Sequence, residues 1–96
     1  MATVALYQYS YYEPSGFPPG EVRMRWYGPW DWNGKAVVVT AMPFDSSTSH
    51  RELIVDYGMQ TTPNEPVGDK YVHATIRNVG RDTLYIYSIE LAEIAP

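Results

Sequence analysis

Hydrophobic and polar residues alternate along six stretches of the chain, and segments rich in proline, glycine and serine separate these stretches. Alternation with a period of two predicts β-strands that turn one face toward a core. The sequence shows no convincing three- and four-residue spacing of the kind that marks an amphipathic helix. The predicted strands cover residues 4–12, 21–27, 35–42, 52–57, 70–78 and 83–94.

The same alternation predicts which side chains point inward. In the second strand we expect the apolar set inside and the other set outside: Val22, Met24 and Trp26 against Arg23, Arg25 and Tyr27. The third strand is almost entirely apolar, so we expect it to lie centrally with both faces covered. Residues 78–82, Asn-Val-Gly-Arg-Asp, are typical of a hairpin turn.

Six or seven short strands between tight breaks predict an all-β fold, either an antiparallel β-sandwich or a small barrel. A length of 96 residues favours one domain over residues 1–96. Two domains would hold only about 50 residues each, a size at which a hydrophobic core barely sustains folding. We therefore predict a single antiparallel domain.

Residues 66–80, PVGDKYVHATIRNVG, resemble a segment of immunoglobulin-like and fibronectin type III-like modules. In those modules a loop with proline and glycine leads to a tyrosine that opens an inner strand, and an Asn-x-Gly turn follows. The resemblance implies an immunoglobulin-like β-sandwich. It also implies that Tyr71 holds the tyrosine-corner position, in which the hydroxyl bonds to backbone upstream.

Charge and cysteine content narrow the range of partners. The formal net charge is −4, and the chain has no run of lysine or arginine, so we expect no nucleic-acid partner. The same charge balance disfavours an anionic membrane surface as a partner. The absence of cysteine excludes disulfides and thiolate metal sites. The two histidines have no metal-ligand spacing, and we expect neither a metal nor a cofactor. The cellular compartment stays open.

Aromatic residues make up 15% of the chain, and all three tryptophans fall within seven residues, at positions 26, 30 and 32. Tryptophan rings stack against sugar rings and proline-rich peptides, and neighbouring polar side chains bond to hydroxyl groups. The candidate ligand-binding residues are Tyr27, Trp30, Asp31, Trp32 and Asn33. In the alternative interpretation Trp26 fills the core, and the other two tryptophans cap one end of the fold.

Three tyrosines alternate along the first strand, at Tyr7, Tyr9 and Tyr11. Such a row is a candidate oligomer interface, because tyrosine offers a large rigid surface with a hydrogen-bonding tip. The alternative is a row of rings packed inside the fold against the neighbouring strand.

These features favour a non-catalytic binding or adhesion module that recognises a glycan or a protein through its aromatic loop. The second hypothesis is a structural, self-assembling subunit, such as a phage, capsid or oligomeric scaffold component, that uses the tyrosine-rich strand. We do not expect an enzyme, because no base, nucleophile and anion-stabilising group come together in the sequence.

Overall fold

The computed structural model describes residues 2–32, 34–44, 50–61, 63 and 69–96. The regular structure in these residues is all β, as the alternation predicts. None of them forms a helix with the length and hydropathy needed to span a membrane. The six strands are β1 (Thr3–Phe17), β2 (Val22–Asp31), β3 (Ala36–Pro43), β4 (Leu53–Gln60), β5 (Asp69–Asn78) and β6 (Leu84–Ala95).

The strands form two three-stranded antiparallel sheets. Sheet A has the order β1-β6-β3, and sheet B has the order β2-β5-β4. Among the strands of the described residues, β4 and β5 are consecutive neighbours in one sheet, while each other pair of consecutive strands lies in different sheets. The hairpin predicted for residues 78–82 is therefore wrong, because β5 and β6 lie in different sheets.

The two sheets enclose a common hydrophobic core. Ring contacts cross between them: Tyr9 of β1 stacks on Tyr27 of β2 with ring centroids 4.4 Å apart. The buried apolar residues come from both sheets and from the segments between them: Phe17, Tyr27, Trp32, Val39, Val72, Ala74, Ile76, Leu84, Tyr87, Ile89 and Leu91.

The inward face of β2 is the opposite of the one expected, since Arg23 and Arg25 point toward sheet A. Arg23 Nε donates to Glu13 Oε1 at 2.7 Å. Arg25 Nη2 donates to the Tyr87 hydroxyl at 2.7 Å, and its guanidinium lies 4.2 Å from the centre of the Tyr11 ring. An acidic partner and two aromatic rings therefore stabilise the arginines inside, where a charge without partners would be costly.

Strand β3 lies at the edge of sheet A and is covered on one face rather than both. Val39 is only 3% exposed, whereas its neighbour Val38 is 42% exposed. The central position expected from the apolar sequence of this strand is therefore wrong, because the β6 strand occupies the middle of the sheet.

Candidate functional site

A break in the pairing of β2 with β5 brings the tryptophan-rich segment to one end of the two sheets. The register shifts between Tyr27 and Trp30, where Gly28 has a φ of +140° and precedes a cis bond to Pro29. A Cβ at Gly28 would lie 2.7 Å from the Lys70 carbonyl oxygen, so the close approach of β2 to β5 requires glycine. Beyond the shift, Trp30 pairs with Lys70.

Trp32 and Trp30 have different environments. Trp32 is 4% exposed, and its Nε1 donates to the Lys70 carbonyl oxygen at 3.1 Å. Trp30 is 43% exposed and meets Trp32 edge to face, with ring centroids 5.5 Å apart. The Trp32 ring is therefore fixed inside the fold, and its contact with Trp30 positions the exposed Trp30 ring. The burial of Trp32 agrees with the capping interpretation, but Trp26 is half exposed and does not fill the core as that interpretation required.

Two cavities lie beside Trp32, and both are lined in part by Trp32 and Lys35. The first, here named the front cleft, has a volume of about 440 Å³ and is lined by Tyr7, Trp30, Asp31, Trp32, Lys35 and Glu93. The second, here named the side pocket, has a volume of about 340 Å³ and is lined by Trp32, Gly34, Lys35, Val37, Tyr57, Gly58, Met59 and Lys70.

Charged groups of opposite sign meet in the front cleft. Lys35 Nζ lies 3.3 Å from Glu93 Oε1 and 3.4 Å from the Asp31 carbonyl oxygen. These contacts orient a cationic donor and an anionic acceptor beside the exposed rings of Tyr7 and Trp30. The cleft therefore combines apolar ring surface with hydrogen-bonding groups of both kinds.

The structure brings together three of the five residues predicted to bind ligand, namely Trp30, Asp31 and Trp32. Tyr27 instead lies between the sheets, where its hydroxyl is 2.6 Å from the Tyr11 hydroxyl. Burial, together with this hydrogen bond, raises the pKa of Tyr27 well above its ordinary value. Asn33 lies outside the described residues.

Sequence reasoning did not assign Lys35, Glu93 and Tyr7 to this site. Two local signals point to Lys35 and Glu93 in retrospect. Lys35 directly follows the Asn-Gly pair that ends the tryptophan segment. Glu93 shares the inward face of β6 with Ile89 and Leu91, where a carboxylate needs a partner. These signals indicate a shared site only when the strand order, which places β1, β6 and β3 side by side, is known.

The tyrosine row lies on the face of β1 that points toward sheet B. Tyr9 stacks on Tyr27, and Tyr11 stacks on Tyr87 with centroids 5.3 Å apart, so both rings are used inside the fold. Tyr7 reaches the front cleft. An oligomer interface built on these three residues stays a prediction.

Within the described part of the chain, no group of three or more histidine, aspartate or glutamate side chains is placed to hold a metal ion. No protein-family model matches the chain, and neither the curated proteins nor the solved structures compared with it gave a significant match. The site must therefore be interpreted from its own geometry.

Proposed function

We propose that the chain is a non-catalytic module that binds a glycan in the front cleft. One observation carries the proposal: the exposed rings of Trp30 and Tyr7 line the same cavity as the Lys35–Glu93 ion pair. The apolar C–H face of a sugar packs on an aromatic ring, and its hydroxyls exchange hydrogen bonds with charged groups at the rim.

The shape of the site favours a glycan over a protein surface. Both cavities fall in the size range of about 300–1,000 Å³ that is usual for small-ligand sites. A stable protein partner requires an area of about 800 Å² on each side. A short concave cleft with two exposed rings suits a sugar unit better than a broad protein contact.

We also propose that the fold is an immunoglobulin-like β-sandwich. In constant-type immunoglobulin domains strands A, B, E and D form one sheet and C, F and G the other. Matching β2–β6 to B–F reproduces the neighbours B-E-D and C-F, and β1 lies antiparallel beside F, where G lies in that family. Tyr71 lies in the strand matched to E, whereas the tyrosine corner belongs to F, so the corner role does not carry over.

Calorimetric titration with short neutral oligosaccharides tests the glycan proposal. Mono- and disaccharides of glucose, galactose, mannose and N-acetylglucosamine serve as probes. For a sugar that binds, we expect Trp30→Ala to weaken binding about tenfold, the loss of one ring contact. Tyr12→Ala, which removes an exposed ring far from the cleft, is the control. Equal binding by Trp30→Ala and the unaltered chain, or no binding by any probe, contradicts the proposal.

A second candidate, a self-assembling structural subunit, is supported by the outer face of sheet A rather than by the tyrosine row. Leu6 is 76% exposed there, next to the exposed Val4, and the exposed Tyr12 lies farther along the same face of this edge strand. The neighbouring strands add Val38, Met42 and Ile86, which are exposed as well. A second copy of the chain presents the same exposed apolar side chains, so two copies can pack these faces together.

The size of this outer face indicates a weak association. Ten consecutive paired positions of β1 and three strands make a face of about 34 by 14 Å, or about 480 Å² in projection. Such a contact is at the small end of protein interfaces. Sedimentation at rising concentration should show reversible dimers that Leu6→Asp abolishes and that Met24→Asp, on sheet B, retains. A monomer at every concentration removes this candidate.

A further inference from the structure

The outer face of sheet B has an aromatic platform that the front cleft does not include. Trp26 is half exposed, and its ring lies on the His73 ring with centroids 4.8 Å apart and an angle of 25° between planes. Its Nε1 donates to Gln60 Oε1 at 3.2 Å. Stacking on one side and a hydrogen bond at the edge therefore hold the ring flat, with its other face toward solvent.

Gly58 connects this platform with the side pocket. It is the β4 partner of His73, which lies under the Trp26 ring, and it also lines the side pocket. A Cβ built at Gly58 would meet no atom within 4 Å. Because β4 is the edge strand of sheet B, this bare position leaves free space at the lining of the side pocket, here named the Gly58 notch.

The three features follow one another around this end of the molecule. The front cleft and the side pocket share Trp32 and Lys35, and Gly58 lines the side pocket and pairs with His73, on which Trp26 stacks. Lys70 and His73, the strand partners of Trp30 and Trp26, are separated by about 10 Å along β5. This separation exceeds what a single sugar ring spans.

Building on the proposed function, we propose that the ligand is a linear, neutral polysaccharide bound along its length. Its chain runs from the front cleft past Trp32, through the side pocket and over the Gly58 notch onto the Trp26 ring. A neutral polymer is favoured because the net charge of −4 on the whole chain repels an anionic polymer, and because the front cleft holds charges of both signs, with Lys35 paired to Glu93.

This course of the polysaccharide over the front cleft, the side pocket and the Trp26 platform is here named the track. A series of oligosaccharides of increasing length tests it. The probes are β-1,4-linked glucose, β-1,4-linked N-acetylglucosamine and α-1,4-linked glucose oligomers, from disaccharide to hexasaccharide, titrated by calorimetry. In the series that binds, we expect affinity to rise at least about tenfold with length, since a longer chain adds a second ring contact.

Two variants show which residues produce the rise in affinity with oligosaccharide length. Trp26→Ala removes the platform, and Gly58→Ile places a side chain in the notch, where its Cβ meets no atom within 4 Å and where the strand favours a β-branched residue. Both should bind the disaccharide as the unaltered chain does and lose the gain of the hexasaccharide. Tyr12→Ala is the matched aromatic control and should keep that gain. Thermal unfolding of each variant establishes that it is folded.

The outcomes separate the track from the cleft. If the disaccharide binds in a Trp30-dependent way but affinity does not rise with length, or if either variant keeps the rise, the track is wrong and the cleft stands. If no oligomer of any series binds, or if Trp30→Ala has no effect, the proposed function fails and the track fails with it.

Discussion

Asn78 is buried where the end of β5 meets the turn between β1 and β2. Its Nδ2 donates to the Phe17 carbonyl oxygen at 2.8 Å and to the Asp82 carbonyl oxygen at 3.1 Å. Its Oδ1 accepts from the Gly80 backbone N–H at 2.9 Å. One amide therefore satisfies three backbone groups that belong to two separate connections between the sheets.

We predict that Asn78→Ala lowers the free energy of unfolding by about 2–4 kcal/mol, because it leaves buried backbone groups without partners. Asn78→Asp keeps an acceptor for Gly80 but removes both donors, so it should also be strongly destabilising. Urea denaturation measures both effects. Arg77→Ala, at the exposed neighbouring position, is the control. A loss for Asn78→Ala no larger than that of the control would show that water replaces the amide.

At the scale of single strands, the sequence predicts the strands but not the orientation of each one. Alternation in β2 is visible in the residues, yet its inward face depends on Glu13 and Tyr87, which are distant in sequence. Similarly, residues 78–82 have the residue types of a tight turn, but the sequence does not show that this turn connects strands of two different sheets. Periodicity reports on a strand alone, whereas the sheet it joins depends on long-range packing.

Strand β3 offers a matched test of its single covered face. Val39→Ala should lower the free energy of unfolding by about 1–3 kcal/mol, because it leaves a cavity in the core. Val38→Ala removes the same atoms from the exposed face and should cost well under 1 kcal/mol. Chemical denaturation of the two variants compares them directly. Equal losses would mean that something covers the outer face of sheet A in solution, as the self-association candidate requires.

At the scale of the whole molecule, the candidate site depends on the strand order more than on any local motif. The tryptophan segment was recognisable from its composition, and two of its rings do line the front cleft. The cleft also needs Tyr7 from β1, Lys35 before β3 and Glu93 from β6. These residues are far apart in sequence, and only the β1-β6-β3 arrangement brings them together.

The space between the sheets holds several tyrosine hydroxyls, and this makes the fold sensitive to alkaline pH. Burial raises the pKa of Tyr9 and Tyr27 above the ordinary value of 10.0. Burial also raises the pKa of Tyr87, although the adjacent Arg25 opposes the rise. Above pH 10 the unfolded chain therefore loses protons that the folded chain keeps. The contribution of these groups to the free energy of unfolding is fully present below about pH 10 and decreases as the pH rises further.

We predict that the free energy of unfolding, measured by urea denaturation across this range, declines above about pH 10. Each tyrosine that ionises only on unfolding contributes a slope of up to about 1.4 kcal/mol per pH unit. Tyr27→Phe should cost about 1 kcal/mol at neutral pH, through the lost hydrogen bond to Tyr11, and should make the alkaline slope shallower. Tyr12→Phe, which removes a hydroxyl at an exposed position, is the control. Identical slopes in Tyr27→Phe and the unaltered chain would mean that the Tyr27 hydroxyl ionises as readily in the folded protein as in the unfolded one. That result would contradict the position of Tyr27 between the sheets.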